Sequence, residues 1–263
     1  MPDPVAFSSA QLPTEHFNTR FAPNSLAFWV PLLIEHAQIV AGSKVLDVGC
    51  GTGGFARTIA DVAPAAVTGV DYSERFIAFA REAPLPSRGT VDWKVGNAEA
   101  LPVADGDFDR VLLSLVLHQL RNPGRAVAEA FRALVAGGLV VVRTVAPEDV
   151  ASRVPHRFFP TMAATDAERM PPLDTIETWL RNAGFKSIDR RQVLRNTKVD
   201  IAHEVQQMLV EASGRYSFIP PQEIDAGLNL MRAEARLKQE NWLDPRPTYF
   251  IVASKPTNQS ATL

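Results

Sequence analysis

The residues best suited to chemistry lie in one run, Lys44-Val45-Leu46-Asp47-Val48-Gly49-Cys50-Gly51-Thr52-Gly53-Gly54-Phe55. A short apolar stretch stops at an acid, glycines follow at alternate positions, and helical spacing begins at Phe55, Ile59 and Val62. The run therefore reads as strand, tight turn, helix. Glycine tolerates positive φ and lets a ligand approach the backbone, and the start of the helix leaves N–H groups for that ligand. Gly49, Gly51 and Gly54 satisfy Gly-x-Gly-x-x-Gly, the pattern of a nucleotide cradle. A second apolar strand, Ala66–Val70, ends at Asp71. An acid about twenty residues beyond the glycine turn, at a strand tip, can accept hydrogen bonds from ribose hydroxyls. The competing reading of Asp71 is a helix N-cap, a role that Ser73 can fill itself.

These residues need a scaffold that brings strand tips together. Around the cradle the chain alternates strands and helices. Ser25 to Ala37 has a helical apolar face, with Pro31 placed in its first turns. A Ser73-capped helix follows Asp71, Val91–Val95 is a third strand, and Gly96–Pro102 a turn. Phe108–Leu115 is a fourth strand, apolar enough to be buried on both faces. Asn122-Pro123-Gly124 opens a helix that Gly137-Gly138 is expected to close, and Leu139–Val145 is a fifth strand. Such βαβ repetition predicts a parallel sheet with helices on both faces and ligands beyond the carboxyl ends of the strands. The prolines of 147–172 predict a long loop or cap there, Phe185–Leu194 a sixth strand, and Thr248–Ala253 a last one. Two amphipathic helical segments lie between these strands, one carrying Ile201, Val205, Met208 and Leu209, the other Ile224, Leu228, Met231 and Ala235.

Composition narrows the function. The 263 residues include 46% hydrophobic and 21% charged ones, with a net charge of −2. That balance gives no electrostatic footprint for nucleic acid or an anionic membrane. The single cysteine, Cys50, sits in the glycine turn, which precludes an intrachain disulfide and a thiolate metal cluster and fits a reducing compartment. The N-terminal residues lack the charged and apolar regions of a secretory signal, and no apolar run approaches the roughly twenty residues that span a bilayer. The expectation is a cytoplasmic protein with no metal site, no membrane partner and no nucleic-acid partner. The sequence carries no signal for an oligomeric state.

The motifs in this order resemble the class I S-adenosylmethionine-dependent methyltransferases, particularly the small-molecule group that includes the ubiquinone and menaquinone biosynthesis enzymes. The central signature is Val-Leu-Asp-Val-Gly-Cys-Gly-Thr-Gly, the second-strand acid matches Asp71, and the family's Gly-Asp-Ala-Glu-x-Leu-Pro turn stands here as Gly96-Asn97-Ala98-Glu99-Ala100-Leu101-Pro102. The resemblance is close over residues 44 to about 146. It implies an α/β fold with a doubly wound, mostly parallel seven-stranded sheet of Rossmann-like methyltransferase type, with helical cap insertions. Residues 1–24 would be an N-terminal arm or lid, 25–146 the cofactor core, 147–172 a cap loop, 173–198 a core continuation, 199–245 a helical cap insertion, 246–255 the final core strand and 256–263 a tail. The cofactor implied is S-adenosylmethionine and the partner a small-molecule methyl acceptor. Gly49, Gly51 and Gly53 would hold the methionine portion, with Asp47 ordering their turn. Asp71 would accept from both ribose hydroxyls, Tyr72 would lie along the adenine, and Asn97 with the Ala98 backbone would read its edge. Leu115 would sit near the sulfonium. Asn97 departs from the usual aspartate yet retains an oxygen for the adenine amino group.

Methyl transfer from a sulfonium is an in-line displacement, so alignment alone can supply roughly 7–11 kcal/mol. A base helps when the acceptor carries a proton. His118, just past the fourth strand, is the candidate base, and its other reading is a helix-start histidine that holds the backbone. His16, His156 and Tyr216 are further candidates. An NAD-dependent oxidoreductase shares the glycine turn and distal acid but not the Gly96–Pro102 turn. An RNA methyltransferase would carry Asn/Asp-Pro-Pro-aromatic where this chain has Ser114-Leu115-Val116-Leu117. A non-catalytic cofactor-binding protein is the remaining alternative.

Overall fold

A computed structural model describes residues 22–151, 153–199, 218–238 and 242–257. The expectations for the arm before residue 22, for His16 and Tyr216, and for the amphipathic segment from Ile201 to Leu209 lie outside these residues. In the first half of the chain come α1 (Pro23–Ala37), β1 (Lys44–Val48), α2 (Gly54–Val62), β2 (Ala66–Asp71), α3 (Glu74–Glu82), β3 (Thr90–Val95), β4 (Phe108–Ser114) and α4 (Pro123–Ala133). After them come β5 (Leu134–Thr144), α5 (Pro147–Val150), α6 (Pro160–Arg169), α7 (Leu173–Ala183), β6 (Lys186–Val199), α8 (Pro221–Lys238) and β7 (Trp242–Ser254).

One seven-stranded sheet runs in the order β3-β2-β1-β4-β5-β7-β6. The pairs β1–β2, β2–β3, β1–β4 and β4–β5 are parallel. The chain builds outward from β1 to β3, then returns to the other side of β1 with β4, so the order reverses between β1 and β4. Side chains of these two strands and of β5 are buried in unbroken runs, Val111 to Leu113 and Val140 to Val142 among them, as expected of strands covered on both faces. Helix starts follow local rules. Ser73 Oγ accepts from the Phe76 N–H at 3.3 Å. Asn122 Oδ1 accepts from the Arg125 N–H at 3.1 Å, with Pro123 in the first helical turn.

The structure corrects several expectations. Gly137-Gly138 does not end α4, which stops at Ala133. The pair lies within β5, where the register against β4 jumps between Phe108↔Leu134 and Arg110↔Leu139. Gly137, at φ +80°, donates to the Lys255 carbonyl at 3.0 Å, so the glycines make a bulge rather than a cap. Pro31 lies in the interior of α1, exposed, where it removes one i→i−4 bond. The region 147–172, expected as a long loop or cap, is largely helical: Pro147, Pro155 and Pro160 each stand in the first turn of a helical element, where a missing N–H costs nothing. Strand β6 runs beyond its expected carboxyl end to Val199, and β7 is longer than expected at both ends.

The chain forms two compact units. The first gathers the described residues up to Thr144, Leu173–Arg191 and those from Phe250 onward; the second comprises Val145–Pro172 and the described part of Gln192–Tyr249. In the second unit Val154, Phe158, Phe159, Met162, Ile219, Leu228 and Met231 form an apolar cluster. Glu223 caps α6 from a distance, accepting from the Thr161 N–H at 2.8 Å and its hydroxyl at 2.6 Å. His156 and Asp166, both buried, pair at 2.9 Å.

In the first unit the indole of Trp93, on β3, fills the space left by two glycines. A Cβ on Gly69 would lie 2.5 Å from the ring and 2.9 Å from Cys50 Sγ, and one on Gly53 would lie 2.3 Å from the ring. Replacing Gly69 by valine should therefore cost about 1–3 kcal/mol through overpacking, read as a lower urea midpoint with an unchanged m-value. An unchanged midpoint would mean that the indole moves aside freely.

Candidate functional site

The site is built where β1, β2 and β4 end. After Val48 the chain turns through Gly49, Gly51 and Gly53 at φ +73°, +56° and +77°, all in the left-handed region that glycine enters without a Cβ penalty. A side chain at Gly49 would also strike Val116, whose Cγ2 lies 2.5 Å from the position of a Cβ. The turn is anchored to β2: the N–H groups of Gly49 and Cys50 donate to the Val70 carbonyl at 2.7 and 3.1 Å. Helix α2 begins at Gly54 with no side-chain cap and no acid in its first turn, which leaves its first N–H groups and its positive dipole end for an external partner.

Asp71 closes this turn from β2. Its Oδ2 accepts from the Gly51 N–H at 2.8 Å and its Oδ1 from the Ser73 N–H at 2.9 Å, so each oxygen retains a lone pair for a further donor. Tyr72 is exposed beside it, and Tyr72, Glu74, Val95, Gly96 and Asn97 line a cavity of about 370 Å³. The Asn97 Oδ1 accepts from the Glu99 N–H at 2.9 Å, an Asx-type turn that orders the Gly96–Pro102 segment. Ala98 is buried next to it.

At the end of β4, Leu115 has φ +55°, sparsely populated for a residue with a branched side chain. Its N–H donates to the Arg143 carbonyl at 2.8 Å and its carbonyl accepts from Gln119 Nε2 at 3.1 Å. His118 follows in a 3-10 turn, Leu117–Gln119, half-buried, with its Nε2 3.4 Å from the Gln119 amide nitrogen. The structure thus gathers Asp47, the three glycines, Asp71, Leu115 and His118 around the carboxyl ends of β1, β2 and β4, with Tyr72 and Asn97 at the adjoining cavity.

Electrostatics sets Asp47 apart. It is 3% exposed, and burial, then the Asp71 carboxylate, push it up to about 7, while the Arg143 charge pulls it down. Burial raises Asp71 also, opposed by its two N–H donors. Arg143 acts electrostatically on Asp47, and periodicity does not reveal it. It lies in the apolar run of β5, 4% exposed, with its guanidinium 4.8 Å from the ring centres of both Trp29 and Phe55. A lone cation in a buried strand was the signal available in the sequence. Among the described residues no group of three or more His, Cys, Asp or Glu could hold a metal ion, and no helix is long and apolar enough to cross a membrane.

Asp47 makes stability depend on pH in a definite direction. A carboxyl raised from 3.8 to about 7 on folding stabilises the native state below pH 4, and this contribution is lost as pH rises through 7. The unfolding free energy of the native sequence minus that of Asp47→Asn should fall across this window in urea titrations. A flat difference would mean that Asp47 is ionised throughout.

A family model described as a methyltransferase domain matches residues 46–142. The biotin biosynthesis bifunctional protein BioHC of Teredinibacter turnerae is 26% identical over 239 residues, which are 84% of this chain and 41% of that protein. The demethylmenaquinone methyltransferase of Renibacterium salmoninarum is 28% identical over 184 residues, 63% of this chain and 76% of that one. The chain therefore spans well under half of the first relative and about three quarters of the second. The solved structure of the (4+2)-cyclase SpnF superimposes with a TM-score of 0.61 at 26% identity, covering 87% of this chain and 81% of that one. Residues 46–142 thus match a methyltransferase domain, and the seven-stranded sheet that carries them has the Rossmann-like methyltransferase fold.

Proposed function

We propose that the protein transfers a methyl group from S-adenosylmethionine to an O, N or C atom of a small organic molecule. The observation that carries this reading is the glycine turn bonded to the Asp71 carboxylate at the β1/β4 reversal, inside the matched domain. The cofactor, when bound, supplies a methyl group already activated on a sulfonium. The chain's part is alignment and exclusion of water. In this reading Gly49, Gly51, Gly53 and the uncapped start of α2 hold the methionine portion, and Asp47 orders the turn. The spare lone pairs of Asp71 receive the ribose hydroxyls. Tyr72, Asn97 and Ala98 take the adenine, with the second lone pair of the Asn97 oxygen, whose first serves the Glu99 N–H, left for the adenine amino group. Leu115 borders the sulfonium, and His118 takes the proton of an acidic acceptor. Acceptor choice is assigned to the arm at 1–24 and to the cap segments at 147–172 and 199–245. The lone cysteine fits a cytoplasmic, reducing setting.

The likeness to SpnF supports a second reading, in which the same crevice shapes a substrate for intramolecular cyclisation and transfers no methyl group. Calorimetric titration with S-adenosylhomocysteine, with NADH as control, is the first test. One-site binding of S-adenosylhomocysteine, weakened at least about tenfold in Asp71→Ala, is the expected result, a loss of about 1.4 kcal/mol or more. Absence of binding in a folded sample would sink the methyltransferase reading. Labelled methyl donor incubated with a panel of phenols, amines and acidic-carbon compounds then separates the two readings, since the second reading yields no labelled product.

A further inference from the structure

The glycine turn is tied down at two separate places. At Gly51 the anchor is Asp71, whose carboxylate takes the N–H of that residue at 2.8 Å. At the far end it is Arg57, in the opening turns of α2. The Arg57 backbone N–H donates to the Gly53 carbonyl at 3.0 Å, and its Nη1 donates to the Thr52 carbonyl, also at 3.0 Å. The Thr52–Gly53 peptide is therefore held on both edges, because its N–H points opposite to its carbonyl and donates to the Cys50 carbonyl at 3.0 Å. Thr52 is buried, so Arg57 rather than bulk water satisfies its carbonyl. The guanidinium is itself fixed. It lies 5.8 Å from the centre of the Trp93 ring, and a Cβ on Gly53 would lie 3.0 Å from Nη1 as well as 2.3 Å from that ring.

A cation is out of place there by local rules. The start of a helix is its positive end, where anions stabilise and cations do not, and α2 carries no acid in its first turn to offset the charge. A local rule broken beside a candidate site points to a role in that site. We propose that Arg57 is a positioning residue for the amino-acid tail of the methyl donor: its hold on the Thr52 carbonyl fixes the Gly53 end of the turn, as the Asp71 carboxylate fixes the Gly51 end. The proposal rests on the methyltransferase reading given above. The two anchors divide the ligand between them. In that reading Asp71 serves the ribose, and its bonds to Gly51 and Ser73 do not involve Arg57. The tail meets the other end of the turn, where the carbonyls of Thr52 and Gly53 both bond to Arg57.

The test compares two ligands that differ in the tail. S-adenosylhomocysteine carries it, and methylthioadenosine keeps the adenine, ribose and thioether without it. Both are titrated by calorimetry into the full chain and into Arg57→Met, in which an apolar stem still covers the Trp93 ring but no donor reaches Thr52. Loss of one charge-assisted bond at the turn should weaken S-adenosylhomocysteine about tenfold and leave methylthioadenosine within about twofold of its native affinity. A residue that merely packs α2 against α3, through the Ala80 carbonyl 3.5 Å from Nη1, would weaken both ligands alike. Equal weakening, or none, would overturn the proposal. Should Arg57→Met fail to fold, the native chain still decides. Its Arg57 side-chain N–H signal, recognised in NMR spectra by its contact with the Trp93 indole, should exchange with solvent more slowly with S-adenosylhomocysteine bound than with methylthioadenosine bound. Equal exchange in the two complexes would overturn the proposal as well. Failure of the native chain to bind either ligand would overturn the methyltransferase reading instead.

Discussion

The carboxylate of Asp71 is the constraint on which the arrangement of the first unit depends. One oxygen takes the N–H of Gly51 and the other the N–H of Ser73, so a single side chain joins the turn after β1 to the entry of α3. Both N–H groups lie where the chain leaves regular structure, and a buried donor without an acceptor there would cost about 1–3 kcal/mol. Burial of the carboxylate has its own cost, visible in the upward push on its titration. The two N–H bonds offset that push, and together the three groups hold a turn whose glycines could otherwise sample many conformations. Asp47 then experiences a fixed negative neighbour, and Arg143 between its two rings supplies the compensating charge.

The second unit is held together differently. Its apolar cluster is small, and its distant segments are joined by polar hubs, one half-buried and one fully buried. Glu223 reaches across 62 residues to the start of α6, and Asp244 across 90 to the Val154 N–H at 3.1 Å. Asp244 is fully buried and also pairs with Arg246. Hubs of this kind add little net stability over an apolar replacement, yet removing one partner leaves an uncompensated charge. They specify which segments meet. Gly227 belongs to the same logic, since a Cβ there would lie 2.3 Å from the Phe159 ring.

Much of the first unit could be read from residue types because local and long-range preferences agree there. The run from Lys44 to Phe55 changes from β-branched to glycine to helical spacing within a dozen residues, and each change is a boundary in the structure. Asn122-Pro123 and Ser73 likewise act as they do in isolation. The misreadings come from residues with two uses. Proline breaks a helix from within and starts one from its first turn, and only the neighbours of Pro147, Pro155 and Pro160 decide which. Paired glycines end helices and also form bulges, and the choice at Gly137-Gly138 is made by Lys255, more than a hundred residues away. Arg143 escaped notice because periodicity scores a strand by its apolar majority. Leu115 carries no mark at all: its positive φ follows from bonds to Arg143 and Gln119, not from its own preference.

The strand order has a consequence for how such a chain is made. Strand β7, seventh in sequence, lies between β5 and β6. As the polypeptide leaves the ribosome, β1 to β5 can pair as they appear, but β6 emerges without its neighbour and must wait for β7. The segments of the second unit are interleaved with the same strands. Synthesis therefore passes through a stage in which a five-stranded sheet exposes the β5 edge, and β6 stays unpaired, until β7 arrives to bridge the two.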